Sequence, residues 1–170
     1  MFSRKRAPAS VRTRLDGNER VLASGSTAGG TTVVATNLGL WWPEEPPRRI
    51  PWQLIDKAAW TEVGLLVVEA DVVDDLFLVD RPAAVVALAQ EGKLPPTVRR
   101  RVEASVVRSL EVRTSAGVAL VVGRRVPGRD GVTWWARPPR GATVTDGIRA
   151  ELEDVVGRLR EQSSAELNQL

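Results

Sequence analysis

Three features of the 170-residue sequence predict an α+β fold dominated by antiparallel strands. Short apolar runs with period-two alternation recur along the chain, separated by Gly- and Pro-containing turns. Four of the six Trp residues fall between Thr31 and Trp60, enough apolar bulk to anchor a sheet core. One helical stripe closes the chain, at Ile148, Leu152, Val155, Val156 and Leu159. The expected architecture is a β-sandwich or partly open barrel, with a helical insertion at 81–104 and a capping helix at 145–162. Residues 15–162 are expected to form a single domain, preceded by a disordered basic arm (1–14) and followed by a short tail (163–170).

Met1–Arg14 is polar and basic, contains Pro8 and shows no periodicity, which gives the arm. Glu19–Gly25 predicts the first strand, and Ser26–Gly30 a flexible turn. Thr31–Thr36 is nearly all β-branched and suits a pleated surface. Asn37 and Gly39, which tolerate positive φ, close a hairpin onto Leu38–Trp42. Pro43 and Pro46-Pro47 stop that strand, and Ile50, Trp52 and Leu54 resume period two. Gly64–Ala70 and Asp75–Val79 are further strands. Asp80 and Pro82 read as a helix start and Gly92 as its end; a second short helix runs from Pro96 to Ala104. Strands return at Val106–Arg113, Val118–Val122 and Val132–Arg137, with Val118, Leu120 and Val122 as one apolar face. Thr143 or Thr145 caps the final helix.

Composition excludes more than it proposes. The chain has no Cys, His or Tyr. Disulfides, thiolate metal sites, Ser-His-Asp triads and the usual zinc sites are therefore impossible. No apolar run reaches membrane-spanning length, and no apolar segment follows the basic N-terminus, so a cytoplasmic protein is expected. The net charge is +3, yet the first fourteen residues hold Arg4, Lys5, Arg6, Arg12 and Arg14 and no acid, leaving the remainder net −2.

The segments VVATNLGLWW and RRIPWQLIDKAAW resemble bacterial pleckstrin-homology-like (PH-like) domains through Thr36, Gly39, Leu40, Ile50, Pro51, Trp52 and Ile55. The layout is also similar to that of actinobacterial proteins, in keeping with the Arg-, Ala- and Val-rich composition. The resemblance covers about Glu19–Val79 and implies a bent sandwich closed by a C-terminal helix, working as a binding module rather than a catalyst. The insertion at 81–104 departs from the family pattern. The lipid-binding role of eukaryotic relatives does not carry over, because the Gly25–Gly30 loop contains neither Lys nor Arg.

The expected function is a non-catalytic interaction or scaffold module whose partner is another protein. One alternative is a nucleic-acid-associated protein using the arm and the Arg-rich patch. Another is a carboxylate-dependent hydrolase. No catalytic, metal or cofactor residue is assigned. The candidate interaction residues are Arg4, Lys5, Arg6, Arg12 and Arg14, the helical Arg99, Arg100 and Arg101, and Trp41, whose side chain faces opposite to that of Trp42. The arm could add weak contact with an anionic membrane or with nucleic acid. Arg108, Arg124, Arg125 and Arg129 extend the basic group, but no aromatic residue is interleaved to stack bases. Asp71, Asp74, Asp75 and Asp80 are the densest carboxylates; their spacing fits no EF-hand and suits the edge of a turn.

Overall fold

The computed structural model describes residues 7–169. In chain order the elements are a single helical turn α1 (Ala9–Arg12), then β1 (Val21–Thr27), β2 (Thr32–Thr36), β3 (Gly39–Trp42), β4 (Arg48–Pro51), β5 (Ile55–Thr61), β6 (Gly64–Val73) and β7 (Phe77–Asp80). There follow β8 (Ala84–Val86), β9 (Leu88–Gln90), α2 (Leu94–Ser105), β10 (Val106–Thr114), β11 (Gly117–Arg124), β12 (Thr133–Arg137) and α3 (Asp146–Leu167). With 42% strand and 25% helix, the protein is β-dominated α+β.

The chain divides into two compact units, one of residues up to Glu69 with Arg81–Glu103, the other of Ala70–Asp80 with Ala104 onward. Strand β6 contributes its first residues to one unit and its last four, Ala70–Val73, to the other.

In the first unit, one sheet has the order β4-β3-β2-β1-β9, and β5, β6 and β8 form a second. Their inner faces share one core. Ala23, Val33, Ala35, Leu40, Trp42, Ile50 and Trp52 meet Ile55, Leu65 and Val67, with Leu94 and Val98 of α2 added. Burying two Trp side chains contributes several kcal/mol at ~25 cal/mol per Å2. Trp52 does not continue a strand as period two suggests. Trp52–Leu54 is a single 3-10 turn after Pro51, and the Trp52 indole N–H donates to the Thr36 carbonyl at 2.9 Å. The β2–β3 turn also differs from expectation, because neither Asn37 nor Gly39 takes a positive φ. The Thr36 hydroxyl accepts the N–H groups of Leu38 and Gly39 instead, each at 3.1 Å. Gly39 is needed for space: a Cβ there would collide with the Ile50 carbonyl oxygen.

The expected helix after Asp80 is absent. Ala84–Val86 pairs with Leu65–Val67 of β6, and β9 pairs with the end of β1. Asp80 accepts Arg137 at 2.6 Å instead of capping a helix. The Ala-rich sequence reads as helical, but β-branched Val85 and Val86 beside an open ladder satisfy both side chain and backbone as strand. The second half of the expected insertion is helical, as α2.

In the second unit the strand order is β10-β11-β12-β7-β6. Helix α3 covers one face through Ile148, Leu152 and Val156, against Phe77, Ala119, Val121, Trp134 and Ala136. The face of β11 under α3 is thus Ala119 and Val121, not Val118, Leu120 and Val122; of those three, Val118 is 50% exposed, Leu120 is half-buried and Val122 is buried. Thr145 caps α3, its hydroxyl accepting the Ile148 N–H at 3.3 Å. The helix runs past the expected end at 162, and Trp134 Nε1 donates to Ser163 Oγ at 2.9 Å. The expectation that the last helix closes the Trp-rich sheet is corrected as well. That core is closed by α2, while α3 closes a separate one.

Candidate binding cleft

A concavity of about 590 Å3 lies within the first unit, between β5 and α2. Leu65 and Val98, both buried, form its floor. Ala58, Ala59 and Trp60 form one wall, and Pro95, Pro96 and Val102 the other. Local sequence explains the opening. Two alanines are too small to reach α2, and a Pro pair in the helix's first turn presents rings rather than long side chains. Trp60 is 37% exposed, and its indole N–H donates to Glu91 Oε1 at 2.9 Å. Arg99 and Glu103 form an exposed ion pair on the rim at 2.8 Å. The hydrogen bond that Arg99 donates to Glu103 raises the Arg99 pKa above its ordinary value. Among the described residues, β5 pairs with β6 alone, so the strand that supplies one wall of the cleft has no strand partner along its other edge.

A second concavity of about 220 Å3 in the same unit is occupied by charge. Arg48 grips the buried carboxylate of Glu69 with both Nη atoms, each at 2.8 Å, and Arg81 approaches it at 3.6 Å. The Glu69 hydrogen bonds raise the Arg48 pKa against the opposing effect of burial. This is an internal ion pair with its fork satisfied, not a vacant anion site. Among the described residues, no three His, Cys, Asp or Glu side chains gather to hold a metal ion, and no helix is long and apolar enough to cross a membrane.

The sequence-derived candidates scatter. Arg4, Lys5 and Arg6 lie outside the described residues. Arg12 and Arg14 are exposed, but this segment is not the disordered arm that was expected: Ala7 and Val11 are buried against Val34 and Trp41. Trp41 is therefore no surface platform. It is 5% exposed, its Nε1 donates to Glu19 Oε1 at 2.9 Å, and the Arg49 guanidinium lies 5.8 Å from its ring centroid. Arg100 is exposed, Arg101 half-buried, and only Arg99 borders the cleft. Arg124 is not a surface cation either; it is 4% exposed and donates to Ser105 Oγ at 2.9 Å. The aspartates do edge a turn. Asp74 and Asp75 take φ of 53° and 52°, and their carboxylates accept Arg149 at 2.5 Å and Arg160 at 3.4 Å.

The sequence did not announce β5 or the place of Trp60 on the cleft wall. The available signals were weak: a Trp ending a segment of poor alternation, and the Leu94-Pro95-Pro96 break. No protein-family model, curated protein or solved structure matches this chain significantly. The class therefore rests on fold and cleft: a β-dominated α+β protein with an apolar groove beside an open strand edge.

Proposed function

We propose that the first unit is a non-catalytic protein-binding module that takes an extended segment of another protein into the β5–α2 cleft. The observation that carries this reading is the coincidence of an apolar groove with the unpaired edge of β5. Strand addition would give backbone hydrogen bonds along Ile55–Thr61, and alternate apolar side chains would enter between Trp60 and the Pro95-Pro96 wall. The volume is in the ~300–1,000 Å3 range of small binding pockets, enough for a few side chains. Two sheets closed by a helix also support the PH-like reading of this unit, and the absence of His and Cys suits a cytoplasmic binder rather than an enzyme.

Selection of displayed random peptides on the full chain tests the proposal. Enriched peptides should carry alternating apolar residues, slow amide exchange across Ile55–Thr61, and bind at least about tenfold more weakly to W60A and A59R, a loss of ~1.4 kcal/mol. No enrichment, or binders indifferent to both substitutions, would overturn it.

A further inference from the structure

Strand β10 is another edge strand, at the margin of the second unit's sheet, and this inference is independent of the cleft. Among the described residues its nine residues pair with β11 alone. A register shift between Val106 and Arg108 leaves Arg108–Thr114 as the regular part. Glu111 and Arg113 are exposed on one face, and neither makes an ion pair or side-chain hydrogen bond among the described residues. On the other face Leu110 and Val112 border the core under α3.

We propose that β10 binds β10 of a second copy of this chain, antiparallel about a two-fold axis at Val112. A two-fold axis normal to the sheet keeps each residue on its own face, so only residues of equal parity can stand opposite one another. Centred on Val112, Glu111 faces Arg113 of the second copy and Arg113 faces its Glu111, giving two reciprocal ion pairs. Val112 meets its counterpart at the rim of the apolar core, and Leu110 faces Thr114. Centring on Glu111 or on Arg113 sets like charges opposite, which disfavours pairing. Centring on Leu110 runs the overlap through the irregular Val106–Arg108 step and puts the two Glu111 side chains on a diagonal. Charges along an edge repel an unrelated strand; here the chain's own sequence answers them. An overlap of a few residues is small beside the ~1,200–2,000 Å2 of a stable specific interface, so the dimer is expected to form and dissociate with concentration.

Sedimentation of the full chain from micromolar to millimolar concentration tests this. Wild type should show a monomer–dimer equilibrium, and E111R and R113E alone should each weaken it about tenfold or more. An equimolar mixture of the two single variants should associate again, because each supplies the charge the other lacks. The E111R/R113E double variant should self-associate like wild type. Both sites are exposed, and unchanged far-ultraviolet circular dichroism confirms folding. A chain that stays monomeric throughout, single variants that dimerise as wild type does, or a mixture that fails to recover would each overturn the proposal.

Discussion

The two units use arginine in opposite ways. In the first, Arg48 and Arg49 reach inward to carboxylates that are almost or wholly shielded, with side-chain exposures of 10% for Glu69 and 0% for Glu19. In the second, Arg137, Arg149 and Arg160 reach across the surface to Asp80, Asp74 and Asp75, which are 42%, 56% and 86% exposed. The inner pairs hold one geometry and are costly to break on one side, since the remaining charge stays buried. Two of the outer pairs tie a turn to α3 and the third ties β12 to β7, all in high dielectric, and each contributes little. An ion pair's weight is set by where it sits, not by its length.

Removing the inner acid should have the largest effect. Glu19 accepts the Thr36 hydroxyl at 2.6 Å, the Trp41 indole at 2.9 Å and Arg49 at 2.6 Å. E19A leaves all three without that acceptor, and chemical denaturation should show a loss of about 3 kcal/mol, moderated because Arg49 is partly exposed. R160A comes next. It removes bonds to the carbonyls of Asp75 and Trp134, at 2.5 and 3.0 Å, and should cost about 1 kcal/mol in the same measurement. D75A removes only the outer carboxylate, and the midpoint should move by less than about 1 kcal/mol. Equal losses for E19A and D75A would erase the contrast.

The smallest expected effect is that of alkali. Burial works against the Arg49 charge, but Asp16 and Glu19 outweigh it and hold its pKa above the ordinary value, as Glu69 does for Arg48. A group whose pKa is raised on folding stabilises the protein below its unfolded pKa and loses that contribution only as pH climbs through the folded one. For arginine both lie above working pH. With no His, Cys or Tyr to titrate, stability should be flat from about pH 6 to about pH 9. A slope in denaturation midpoints over that window would mean that folding moves the titration of some carboxylate or amino group into it, since arginine stays charged throughout whether paired or not.

Much of the fold was legible because strand alternation and turn residues act locally. β2, β3, β6, β10–β12 and α3 all fall close to their expected places. What failed depended on neighbours far along the chain. Ala83–Ala87 reads as helix until the edge of β6 offers Leu65–Val67 for pairing. Val118, Leu120 and Val122 look like the inner face of β11, but α3 packs on the face of Ala119 and Val121. The cleft was illegible for the same reason. Its walls come from Ala58–Trp60 and from α2, and nothing in either stretch announces the other. Trp41 was misplaced because a one-turn helix within an apparently polar arm buries Val11 against it.

The uneven shielding of the six tryptophans has a spectroscopic consequence. Five are at most 8% exposed, and Trp60 at 37% stands at the mouth of the cleft. With no tyrosine in the chain, ultraviolet emission comes from indole alone, and its long-wavelength shoulder and its quenching by acrylamide belong mainly to Trp60. The protein thus carries its own reporter of occupancy: whatever settles beside that ring should turn the emission bluer and harder to quench, with no label attached.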